Sequence, residues 1–201
     1  MRADSNQGTW QFMSAGLISG KTQHDFRDDL ESSIYVLLWT TLMYSVIPEE
    51  SLVLSTLRGV LDPQPYENLG GVAKQDYLRG GAFLDKVQFP DWPKLHELMS
   101  RLRRLFAVHY EKVPTIEHKA AEETIRAAGL DELLKESYAA QYSLRTSQLE
   151  NHDATIKLFE EALKDHSQWP CHDVAVLQKF NDSKPRPQPM TKTGWRTSQF
   201  Q

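Results

Sequence analysis

The feature that most constrains this chain is the run Ile34-Tyr35-Val36-Leu37-Leu38-Trp39, continued by Leu42, Met43 and Tyr44 and stopped at Ile47-Pro48. It is broken by Thr40, Thr41 and Ser45 and falls short of the roughly 20 apolar residues that a bilayer requires. An amphipathic surface helix would show polar residues at every second or third place. The run therefore reads as a helix buried on nearly all sides inside a soluble protein, and such a helix needs other chain wrapped around it. A length of 201 residues supplies enough chain for one domain with a real core, and too little for two ordinary ones.

Charge and cysteine content exclude several classes. A formal net charge of −4 gives no electrostatic case for a nucleic-acid partner. The densest basic cluster, Arg101, Arg103 and Arg104, is flanked by Glu97 and Glu111 and reads as a solvated helix face. A single cysteine, Cys171, excludes an internal disulfide and fits a reducing compartment. The amino terminus lacks the apolar stretch of a secretory signal. The expectation is an intracellular protein of cytoplasm or nucleus, with neither membrane nor nucleic acid as partner.

Three regions are expected along the chain. Residues 1–23 are polar and punctuated by Gly8, Gly16 and Gly20, an irregular segment with one short turn of helix near Met13 to Ile18. Residues 24–182 form a helical domain. Its central helix starts near Asp25 to Asp28, where carboxylates cap free amides, and ends by Pro48. A short helix follows around Glu50 to Val60, and turn-rich chain leads to Pro90. From Pro93 onward Leu95, Leu98, Met99, Leu102, Leu105, Phe106 and His109 recur at spacings of three and four, placing His109 in the packed face. Two more helices are expected, one over about Ile116 to Leu144 interrupted at Gly129, and one ending near Lys164 with Ile156, Phe159, Ala162 and Leu163 inward. Residues 183–201 are basic and proline-rich and bury little, which predicts a disordered tail. No segment alternates as a strand. The fold class is mainly α, with helices packed around one buried central helix.

Two strings carry a family resemblance. Gly8-Thr9-Trp10-Gln11-Phe12-Met13-Ser14-Ala15-Gly16-Leu17 is similar to the stretch that closes a kinase activation segment. About twenty residues later, Asp28-Asp29-Leu30-Glu31-Ser32-Ser33-Ile34-Tyr35-Val36-Leu37-Leu38-Trp39 resembles the long helix at the centre of a kinase large lobe. Their content, order and separation look like the fungal-type protein kinase family, over residues 8 to about 170. The resemblance implies a partial kinase-like large (C-terminal) lobe, with residues 1–23 as the end of its activation segment. Gly8 and Thr9 would lie on the substrate side of that segment, and Asp29 would hold the backbone of a catalytic loop. Where kinases have a glutamate that pairs with a later arginine, this chain has Gly16, preceded by Ala15, so that ion pair cannot form.

Phosphoryl transfer in the family needs a glycine-rich loop over the phosphates, a strand lysine, a catalytic aspartate and magnesium ligands. No G-x-G-x-x-G, V-A-I-K, H-R-D or D-F-G pattern stands ahead of Gly8. No catalytic, cofactor-binding or metal-binding residue is therefore assigned. ATP and magnesium belong to the complete family domain, and the expected partner is the missing N-terminal kinase portion, with a protein substrate or other proteins beyond it. The reading is a C-terminal kinase fragment inactive alone. Its alternative is a stand-alone remnant acting as a non-catalytic protein-binding module. His166, Cys171 and His172 match no standard zinc spacing, and the Pro-x-Pro-x-Pro of the tail is not P-x-x-P.

Overall fold

The computed structural model describes residues 10–20, 23–61, 71–80, 83–87, 89, 92–178 and 180. Among these there is no strand. Gly8, Thr9 and the tail 183–201 lie outside the described residues.

A 3-10 turn at Trp10–Phe12 leads into α1 (Ala15–Ile18), capped by the Ser14 hydroxyl, which accepts from the Leu17 amide at 3.1 Å. Helix α2 (Phe26–Tyr44) begins with a reciprocal capping box between Asp25 and Asp28. Helix α3 (Glu50–Thr56) runs into a π-helical turn at Leu57–Leu61. Helices α4 (Val72–Gly80) and α5 (Pro93–Ala107) follow, then a 3-10 turn at Val108–Tyr110. The rest comprises α6 (Ile116–Ala127), α7 (Asp131–Glu136), α8 (Tyr138–Ser147) and α9 (Asp153–Leu163).

The core lies where α5 crosses α2, α4 and α9. Proline at the first position of α5 and its apolar stripe fix that helix, and Leu95, Leu98, Met99, Leu102, Leu105 and Phe106 are all buried. They meet Ile34, Tyr35, Leu38 and Leu42 of α2 and Leu78 of α4. Each such side chain contributes about 1.5–3 kcal/mol of burial. The basic face of α5 is more than a solvated surface: Arg101 pairs with Glu161 of α9 at 2.6 Å, and Arg103 donates to the Leu78 carbonyl of α4 at 3.0 Å.

Several expectations shift. Helix α2 is covered on one side rather than all round, because Val36 (46%) and Tyr44 (37%), with Asp29 and Thr40, form an exposed stripe along it. Its last carbonyls are met by a later segment: the Val176 amide donates to Tyr44 O at 2.9 Å and the Gln178 amide to Met43 O at 2.8 Å. His109 is exposed, because the 3-10 turn at Val108–Tyr110 rotates it off the α5 stripe. In α9 the inward set is Ala154, Thr155, Leu158, Phe159 and Ala162, while Ile156 and Leu163 face out. The long helix expected after Ile116 breaks at Gly129 (φ 68°), as the glycine signals, and again at Ser137, which caps α8 by accepting from the Ala140 amide.

Candidate functional site

The only extensive buried polar network among the described residues grips residues 10–18. Helix α2 supplies Asp28, Glu31 and Tyr35, at spacings of three and four that set them on one face of the helix. Helix α4 supplies Lys74, and the turn after α5 supplies Tyr110. Gly71 brings α4 close: its φ is +90°, and a Cβ there would stand 2.4 Å from the Ala15 carbonyl oxygen, so only glycine fits.

The two signs of charge divide the segment's backbone between them. Lys74 is fully buried, and its Nζ donates to the carbonyls of Met13 (2.6 Å), Gln11 (2.8 Å) and Trp10 (3.4 Å). The same ammonium sits 4.2 Å from the centroid of the Tyr35 ring, a cation–π arrangement. Glu31, also buried, takes the amides' side. Its Oε1 accepts from the Ala15 amide (2.8 Å) and the Tyr35 hydroxyl (2.8 Å), and its Oε2 accepts from the Tyr110 hydroxyl (2.6 Å). The Tyr110 oxygen in turn accepts from the Gly16 amide at 3.1 Å. The Ser14 hydroxyl donates to Asp28 Oδ1, whose other oxygen accepts from the Asp25 amide at 2.9 Å.

Burial dominates the electrostatics. It lowers the Lys74 pKa to about 7, against the attraction of Glu31, which acts to raise it. It raises the Glu31 carboxyl above its usual range, opposed by the hydrogen bonds from Tyr110, Ala15 and Tyr35 and by Lys74. Tyr35 and Tyr110 are both pushed up, first by burial and then by the Glu31 charge. The three ammonium protons of Lys74 face three carbonyls, and the side chain has no access to solvent. The arrangement is thus built to hold a backbone segment and offers no exposed nucleophile or base.

Asp29, the sequence-expected structural residue, lies on the exposed stripe of α2 and pairs with His24 at 3.0 Å, while its neighbour Asp28 is the buried carboxylate. The sequence marks Glu31 only as part of a charged helix start beside Asp28 and Asp29, and it gives Tyr35, Lys74 and Tyr110 no role. Lys74 left a signal: it shares the inward phase of Tyr77 and Leu78, and a cation on an apolar face demands partners. In this network the anion comes from Glu31 and the cation from Lys74.

Cys171 Sγ and His172 Nδ1 are 3.3 Å apart and exposed, and no group of three or more His, Cys, Asp or Glu among the described residues is placed to hold a metal ion. No helix among them is long and apolar enough to cross a membrane.

Residues 1–41 match the family model of the fungal protein kinase, a fifth of the 201 residues. No curated protein and no solved structure matches the chain.

Proposed function

We propose that this chain is the C-terminal, large-lobe portion of a fungal-type protein kinase, a family whose activity is transfer of the ATP γ-phosphate to protein serine or threonine. The observation that carries the reading is a coincidence of place. The family match over residues 1–41 spans the gripped segment 10–18 and the helix face that supplies Asp28, Glu31 and Tyr35. On this reading residues 1–23 are the end of an activation segment, with Gly8 and Thr9 toward substrate. Asp29, solvent-facing on α2, would then exchange its contact with His24 for a catalytic loop contributed by chain outside this sequence. ATP and magnesium bind to that outside portion, in cytoplasm or nucleus, and the 201-residue chain alone neither binds ATP in the kinase manner nor transfers phosphate.

The test is direct. The purified chain, titrated with magnesium and ATP, should show no thermal stabilisation and no phosphate transfer to a generic protein substrate. An ATP-dependent rise in melting temperature refutes the assignment of the nucleotide machinery to another segment.

The second reading, a non-catalytic protein-binding module, is favoured by one observation: α6 and α7 bury no residue at all. An antibody to residues 183–201 separates the two. An endogenous product well above 23.1 kDa supports the kinase portion, and one at that mass supports the module.

A further inference from the structure

Helices α6, α7 and α8 form an arm joined to the core mainly through α8, which buries Ala139 and is tied down by the bidentate pair of Arg145 with Glu111, 2.6 Å at each nitrogen. A 12-residue helix without tertiary burial is marginal in water, yet α6 leaves Ile116 87% exposed, and Leu130, Leu133 and Leu144 of the same arm stand open. Between α6 and α8 runs a cleft of about 450 Å³, lined by Val113, Ala139 and Tyr142 and by Glu122, Glu123 and Glu150, with Lys119 and Arg126. Arg126 is committed to Glu122 at 2.6 Å. Over 116–136 the arm carries six carboxylates (Glu117, Glu122, Glu123, Asp131, Glu132, Glu136) against Lys119, Arg126 and Lys135. It is an acidic surface that also exposes aliphatic side chains.

The chain itself contains the complement. Residues 183–201 hold Lys184, Arg186, Lys192 and Arg196 and no acid, with Trp195 and Phe200 as apolar anchors. We propose that this tail docks on the α6–α8 arm of its own chain, its cations against the arm's carboxylates and its aromatic side chains over the exposed aliphatic ones. The reach suffices. The described chain ends at Phe180, which packs on the core just after Val176 and Gln178 bond the C-terminal end of α2. The arm adjoins the opposite end, where Arg27 Nε donates to the Leu149 carbonyl at 3.0 Å. The 19 residues of α2 separate those ends by about 28 Å. A segment of the length of residues 181–201 can span at most about 70 Å. Charge and apolar surface together favour the chain's own tail, which a tether presents to the arm at an effective concentration that no dilution lowers.

Zero-length carbodiimide coupling on the full chain, mapped by peptide mass spectrometry, tests this. Lys184 and Lys192 should join to Glu117, Glu123, Asp131 or Glu150, with yields that fall in high salt and do not change with protein concentration. Leu144→Glu, at an exposed position, and Trp195→Ser should each cut that yield at least about tenfold while the circular dichroism melt of the chain stays in place. Cross-links that are absent, or scattered over other carboxylates, overturn the proposal. So do cross-links found only between isotope-labelled and unlabelled copies, which would make a second copy the occupant. Yields that ignore both substitutions also refute it.

Discussion

Replacing Lys74 with methionine tests whether burial disfavours the charged form of this lysine in the folded chain. Methionine keeps the length and apolar stem but removes the charge. The effect follows from linkage. In the unfolded chain this lysine has its ordinary pKa of 10.5, and in the folded chain burial brings it to about 7. Between those values the unfolded state binds more protons, so stability rises with pH. This contribution is fully present above about 10.5 and is lost as pH falls through about 7. At about 1.36 kcal/mol per pH unit the whole window is worth about 5 kcal/mol, of which about 3 accumulates between about pH 7 and 9.5. Above about 10 the raised pKa values of Tyr35, Tyr77 and Tyr110 act the other way, since each keeps its proton longer in the folded state. The raised Glu31 opposes the rise too, with stability present below its ordinary 4.5 and lost as pH climbs through its folded value. Urea unfolding followed by tryptophan fluorescence should therefore give a wild-type stability that increases from about pH 7 to 9.5. In Lys74→Met the rise should vanish, because the group whose ionisation differs between the folded and unfolded states is gone. A wild-type slope of zero or below, or a variant that keeps the rise, refutes the reasoning.

Other substitutions separate the contributions. Gly71→Ala meets both the positive φ and the Ala15 carbonyl and should cost about 2–3 kcal/mol in a thermal melt, whereas Gly129→Ala, with open space around it, should cost about 1. Tyr110→Phe strips the hydroxyl that links the Gly16 amide to Glu31, and denaturant midpoints should report a loss of about 1.5–3 kcal/mol. Arg145→Lys loses the two-pronged contact with Glu111 at a partly exposed site, and the melt should shift by no more than about 1 kcal/mol.

How far the sequence was legible depended on the range of the interaction. Helix α5 could be read because its signals are local: Pro93 at the start and a stripe repeating every three to four residues. The break at Gly129 was equally local. The phase of α9 was not, since Ile156 and Leu163 are as apolar as the residues that do turn inward, and only contact with α5 chooses among them. The grip on residues 10–18 was the least legible feature. Glu31, Lys74 and Tyr110 lie far apart in sequence, and each has an ordinary explanation in its own surroundings. Glu31 reads as part of an acidic helix start, and its burial depends on a contact with Ala15 that no spacing rule encodes.

Gly16 and Ala15 bear on how this network holds its segment. Gly16 has no side chain with which to pair, so that position is fixed through its backbone. Backbone amides need an anion and backbone carbonyls need a cation, and each must be buried to exclude water as a competitor. Glu31 and Lys74 meet those two requirements from elements that the hydrophobic core already fixes: α2 through Ile34, Leu38 and Leu42, and α4 through Tyr77 and Leu78. Burying both charges is costly, and apolar replacements of similar shape often match or exceed the stability of such pairs. What apolar residues cannot do is distinguish one register of the segment from the next. A one-residue slip would move the Met13 carbonyl off Lys74 and the Ala15 amide off Glu31. Replacing both groups at once, as Glu31→Gln with Lys74→Met, should therefore destabilise less than the two single changes predict by addition. It should also free residues 10–18, seen as faster amide exchange at Ala15 and Gly16 while the α5 core stays protected. Strict additivity together with an unchanged exchange rate would mean that the segment is held by its apolar contacts, chiefly Phe12 against Trp39, and that the charges set nothing.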